Sequence, residues 1–259
     1  MAPSQFYTGL VADLYAALRG HVYDEPEPWY RFIAEAGEPA LELGCGDGDP
    51  LLALRKRGVD VEGVDSSPDM LERCRAAAAQ LALEVTLHQQ AMEELQLERR
   101  YGSIFLAGPT FNLLPDDDTA RGALVSIQTH LADDGQVLIP LFIPAPTPPE
   151  QLGVPREGRG ADGALLRVTA LHERFDAQHR TRTTLLRYER QTSDGTVQRD
   201  ERPWVLHWYE QEGFAHLAAE AGLAVHEVRA ADPADPDGAW HVRLKHHSPD
   251  DMAGSRTPV

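Results

Sequence analysis

The chain has little cysteine: its 259 residues carry two, Cys45 and Cys74. That excludes a disulfide-stapled scaffold, and the scattered histidines add no metal-ligand spacing. Basic residues are also short, 24 against 41 Asp and Glu, for a formal charge of −17. A polyanion-binding face needs a basic stripe that neutralises phosphates. Arginines do gather between Arg167 and Arg202, but carboxylates interleave with them. Nucleic acid is therefore not an expected partner. No uninterrupted apolar run reaches the roughly 18 residues of a membrane span. Met1–Gln5 lack the basic and apolar regions of a secretion signal. A cytoplasmic protein with both thiols free is expected. There is no internal repeat, no Gly-x-Ser-x-Gly and no P-loop. What remains is a globular chain, 42% hydrophobic, long enough for a sizeable core.

The densest signal is Pro39-Ala40-Leu41-Glu42-Leu43-Gly44-Cys45-Gly46-Asp47-Gly48. A short apolar run reads as a buried strand, and glycine at every second position reads as a tight turn that a ligand can approach closely. Asp49-Pro50 then opens a helix. Strand, glycine turn and helix N-terminus together are how α/β proteins bind nucleotides. The dinucleotide fingerprint G-x-G-x-x-G requires a third glycine where this chain has Asp49. A second alternating strand, Val59 to Asp65, ends in a carboxylate suited to accepting two ribose hydroxyls. Ser67 and Pro68 then start a helix.

The E-x-G-x-G-x-G pattern from Glu42, followed by D-x-S-x-x-M-L from Asp65 to Leu71, resembles motifs of the class I S-adenosylmethionine (SAM)-dependent methyltransferases. The resemblance implies an α/β fold, a seven-stranded Rossmann-like doubly wound sheet. It also implies SAM as cofactor. Glu42 would contact its methionine part, with Gly44, Cys45 and Gly46 alongside, and Asp65 would hold the ribose, next to Ser66 and Met70. Adenine would lie by Ala91 and Met92. The family often has Asp where this chain has Ala91, so a backbone amide at Met92 would take over that contact. Gly108, a further cofactor contact by this resemblance, closes the fourth strand and precedes Pro109-Thr110-Phe111-Asn112, similar to the loop that faces the transferring methyl in small-molecule methyltransferases. Asn112 reads equally as a substrate contact or a helix cap. Tyr15, in a helical segment similar to one that closes over SAM, reads equally as a lid or a packing residue.

The organisation follows. Residues 1–37 form an aromatic, helical N-terminal lid, and 38–142 the SAM-binding core. Residues 143–207 form an antiparallel three-stranded insert, entered through the proline-rich segment from Pro144 to Pro149 and turned at Ser193-Asp194-Gly195. Residues 208–247 complete the core with a helix and two strands split by an acidic loop from Ala231 to Gly238, and 248–259 form a disordered tail. The expected acceptor is a small molecule, methylated on N or O by in-line displacement, in a pocket between the N-terminal segment and the insert. Arg187 and Trp208 are its candidate contacts and His207 its candidate base; a strand-end histidine with no chemical role is the other reading of His207. On this view, removing the insert leaves SAM binding intact. A tRNA or protein methyltransferase, or a non-catalytic SAM-binding protein of the same fold, are the alternatives.

Overall fold

The computed structural model describes residues 6–19, 26–160, 162–230 and 238–247. The tail from 248 and the loop over 231–237 lie outside the described residues. Chain entry is through α1 (Leu10–Arg19) and α2 (Glu27–Ala36). The core then alternates β1 (Ala40–Leu43), α3 (Leu51–Lys56), β2 (Val61–Asp65), α4 (Pro68–Gln80), β3 (Leu87–Gln89), β4 (Tyr101–Phe105), α5 (Asp117–His130) and β5 (Leu131–Leu141). After the insert come α6 (Gln211–Glu220), then β10 (Leu223–Arg229) and β11 (Trp240–His246).

These strands form one seven-stranded sheet in the order β10–β11–β5–β4–β1–β2–β3. β1 pairs in parallel with both β2 and β4, while β11 runs antiparallel between β5 and β10. β1 is buried at all four positions, the mark of a parallel strand covered on both faces. One face packs Leu124 and Ile127 of α5 and Phe214 of α6; the other packs Phe32 of α2, Leu51 of α3 and Leu71 of α4. Gly63 permits the close fit of α3 on β2, because a Cβ there would meet Cys45 Sγ and Leu51 Cδ1 at 2.7 Å. Strand order reverses between β1 and β4, and that switch point opens a crevice at the carboxyl ends of the strands.

The insert is a separate sheet of β6 (Pro155–Arg159), β7 (Leu165–Asp176), β8 (Thr181–Gln191) and β9 (Val197–His207), antiparallel throughout. Its three long strands are those expected, and β6 adds a fourth at the edge. One face buries Leu166, Val168 and Tyr188 against Phe6, Val11 and Leu14 of the N-terminal segment. The other carries exposed cross-strand ion pairs such as Arg187–Glu201 at 2.7 Å and Arg199–Glu189 at 2.7 Å.

Candidate functional site

The glycine turn leaves β1 with Gly44 at φ +72° and Gly46 at φ +53°, conformations that side chains with a Cβ disfavour. Gly44 also lies under Thr110, whose Cγ2 would be 2.8 Å from an added Cβ. Opposite the turn, Asp65 ends β2. Its Oδ2 accepts from the Gly46 amide at 2.9 Å and its Oδ1 from the Ser67 amide at 2.8 Å. Burial pushes its pKa up, while these two amide bonds hold it down. Ser67 caps α4 by accepting from the Met70 amide at 3.2 Å.

Together these elements wall a cleft of roughly 790 Å³, open solvent at its mouth included. Gly44, Gly46, Asp65, Ser66 and Met70 line one side. Ala91 and Met92, from the turn after β3, line another, and Tyr15 reaches in from α1. Tyr7, Glu93 and Thr110 are among the further lining residues that were not singled out in the sequence. Tyr7 meets Tyr15 edge to face with ring centroids 5.2 Å apart, and burial raises its hydroxyl pKa. No periodicity marks Tyr7, because residues 6–9 are turn and bend.

The remaining expected residues lie elsewhere. Glu42 is fully buried, and its charge adds to the burial that pushes the Cys45 thiol up. The Cys45 side chain faces the core and not the cleft, packed where a Cβ on Gly63 would meet its sulfur. Burial likewise pushes Cys74 up to about 12, and both thiols are free. Gly108 is not among the lining residues; its carbonyl accepts from the Thr110 amide at 2.7 Å.

Asn112 is fully buried and does not face the cleft. Its Nδ2 donates to the carbonyls of Phe142 at 3.0 Å and His207 at 2.9 Å, and its Oδ1 accepts from the Phe142 amide at 3.3 Å. The side chain ties the post-β4 loop to the exit of β5 and the end of the insert. Neither a substrate contact nor a helix cap describes it. Arg187 sits on the outer face of the insert with Glu201, and Trp208 is buried in a stack on Phe175 at 4.9 Å. Neither lines the cleft.

His207 is 3% exposed and also off the cleft. Its Nδ1 is 2.9 Å from the Tyr209 hydroxyl, and its Nε2 is 3.6 Å from Asp117, which pairs with Arg180. Burial, then the Arg180 charge, lower its pKa from 6.5, with Asp117 and Asp116 opposing. The stability it contributes is full above the unfolded value near 6.5 and is lost as pH falls from there through the lower folded value. Thermal melts between about pH 7.5 and 5 should show wild type losing more stability than His207→Gln; parallel losses would remove His207 as the titrating group.

Among the described residues, no group of three or more His, Cys, Asp or Glu is placed to hold a metal. Nor is any helix there long and apolar enough to cross a membrane.

With this geometry in hand, residues 40–135 match the sequence family described as "Methyltransferase domain". That match spans the glycine turn, Asp65 and the Ala91–Met92 turn. A provisionally named methyltransferase of Geobacillus sp. (strain WCH70) is 31% identical over 98 residues, 38% of this chain and 40% of that protein. The dTDP-3-amino-3,4,6-trideoxy-α-D-glucopyranose N,N-dimethyltransferase of Streptomyces venezuelae is 27% identical over 134 residues, 52% of this chain and 53% of that one. The chain thus spans about half the length of the curated relatives it matches. In fold, the methyltransferase domain and its insert resemble the sugar N-methyltransferase KedS8 of Streptoalloteichus sp.. That likeness has a TM-score of 0.71 at 19% identity and covers 92% of this chain and 94% of that structure.

Proposed function

We propose that this protein transfers a methyl group from SAM to a nitrogen of a small polar molecule, with an amino sugar as the acceptor class. The observation that carries this reading is the convergence of the glycine turn, Asp65, the Ala91–Met92 turn and the tyrosine pair on one cleft at the strand switch point. The cleft fits the cofactor chemically. The turn is bare of side chains where the backbone faces the cleft, and the Asp65 carboxylate is oriented by two amides yet keeps lone pairs for ribose hydroxyls. The choice of amino sugar rests on the Streptomyces venezuelae relative, whose printed substrate is one.

SAM supplies a methyl group already activated on a sulfonium. The chain's task is then to hold donor and acceptor in line, which can supply roughly 7–11 kcal/mol of the barrier. Asp65 anchors the ribose and Met92 packs beside adenine. Gln90, pinned through both ends of its amide to the backbone of Gln96 at 2.7 and 3.1 Å, fixes that turn. Tyr7 and Tyr15 cover the cleft and exclude water. Thr110 and Leu114 bound the acceptor side. In this reading His207 supports the acceptor wall through its carbonyl on Asn112, and the base role suggested by sequence is dropped.

Two measurements check this. Label from methyl-tritiated SAM should appear in a 3-amino sugar nucleotide and not in its hydroxyl counterpart; label only in the hydroxyl compound would move the reading to O-methylation. Asp65→Ala should weaken SAM binding by about 1.5–3 kcal/mol, the range for hydrogen bonds to a charged group, read by calorimetry on the folded variant. Unchanged affinity would take Asp65 out of the site.

A further inference from the structure

The N-terminal segment does not hang free over the cleft; it is held from both sides. On the core side, Ser67 Oγ donates to the Tyr7 carbonyl at 2.6 Å and the Gly9 amide donates to Asp69 Oδ2 at 2.6 Å. Asp13 of α1 adds an ion pair to Arg73 of α4. On the insert side, where Phe6, Val11 and Leu14 also pack on Leu166, Val168 and Tyr188, a guanidinium reaches in. Arg202 of β9 donates from one nitrogen to the Phe6 carbonyl at 2.6 Å and to Thr8 Oγ1 at 3.0 Å. Its other nitrogens hold Asp200 at 2.9 and 2.7 Å, and its side chain is 12% exposed. The residue between these two grips is Tyr7, whose ring lines the cleft. Ser67, which grips Tyr7 from below, also orients Asp65 through its amide.

We propose that Arg202 is a positioning residue through which the antiparallel insert sets the affinity of the cleft for its cofactor. The inference rests on the SAM reading above. Physically, a guanidinium offers several donors in a fixed fork, so one side chain can fix two points of a turn at once. Residues 6–9 lie in turn and bend, with Gly9 at φ +55°, so they have no helical ladder of their own. Without the fork, Tyr7 must be ordered when the ligand arrives, and that ordering entropy subtracts from affinity. Coupling of this kind is reciprocal: SAM, once bound, should in turn hold the strap against the insert. The insert is therefore not separable from cofactor binding, and the expectation that its removal leaves SAM affinity intact does not suit this architecture.

The test compares wild type, Arg202→Lys and Arg199→Lys. Lysine at 202 keeps the charge beside Asp200 but loses the fork. Arg199 lies on the same strand with Glu189 on the outer face, so its substitution controls for a general loosening of the sheet. Calorimetric titration of SAM should show Kd raised roughly fivefold or more for Arg202→Lys, within the usual range of coupling between sites, and unchanged for Arg199→Lys. In turnover, KM for SAM should rise while kcat at saturating SAM holds. Without any SAM, the Gly9 amide should exchange hydrogen faster in Arg202→Lys than in wild type. If Arg202→Lys does not fold, Thr8→Val removes one of the two anchored points and should shift Kd and exchange in the same direction. Unchanged SAM affinity in a folded Arg202→Lys protein overturns the proposal. Failure of the wild type to bind SAM overturns the cofactor reading itself; faster Gly9 exchange would then still show that the strap is anchored by Arg202, with no cofactor to serve.

Discussion

Gly46→Val should abolish measurable SAM binding while leaving the seven-stranded sheet folded. Three effects act together. The native φ of +53° is one that a β-branched residue tolerates poorly, a strain of about 1–3 kcal/mol. An added Cβ would stand 3.3 Å from Met70 Cε, and the valine methyls would extend past it into the cleft. Relieving that strain moves the Gly46 amide off Asp65 Oδ2, so the Asp65 carboxylate loses one of its two guides. The turn lies at the surface of the sheet and not within it, so circular dichroism should change little. Calorimetry decides the matter: normal SAM binding by Gly46→Val would show that the turn is not where the ligand sits.

Asn112→Leu should cost the most stability of any single change considered. Leucine is close in volume but removes all three hydrogen bonds that join the post-β4 loop to Phe142 and His207. A buried polar group left without its partner costs about 1–3 kcal/mol, so the loss over the carbonyls and amide is about 3 kcal/mol. For a domain of this size each kcal/mol is worth about 2–4 °C, which places the fall in Tm at roughly 6–12 °C. On the proposed function, methyl transfer should suffer more than SAM affinity, because Thr110 and Leu114, which line the cleft, flank Asn112. A variant that melts with wild type would show that water replaces the carboxamide at no cost.

The glycine-turn side of the cleft could be read in the sequence because its residues are dictated by backbone geometry. Only glycine sits easily at the φ of Gly44 and Gly46, and a carboxylate at the tip of β2 is a local feature of one strand. The long insert strands were equally legible from their alternation and from the turn at Gly195. β6 was not, because Pro-Arg-Glu-Gly-Arg has proline and charges where alternation would show, as suits an exposed edge strand. β5 begins at Leu131, and its register against β4 jumps from Leu131 to Gln136, an irregularity that no local pattern announces. Glu62 looked like the polar half of an alternating strand. It is 5% exposed, and its charge is met by Arg99 at 2.5 Å, His88 at 2.8 Å and the Tyr101 hydroxyl at 3.0 Å.

The insert side was less legible for a physical reason. Which face of the insert meets the core depends on register and packing between distant segments, and a shift of one residue exchanges the two faces. Arg187 and Trp208 have the right chemistry for an acceptor pocket, yet one lies on the outer face and the other inside a stack. Arg202 looked like one more arginine in a charged run, and its hold on Phe6 and Thr8 spans 196 and 194 positions of sequence.

The most direct test of the central claim is a crystal structure of the protein grown with S-adenosylhomocysteine. The account predicts ligand density in the cleft, with the ribose hydroxyls on Asp65, the adenine against Met92 and Tyr7 closed over the ligand. Density at any other place on the sheet, or an empty cleft at saturating ligand, would contradict it.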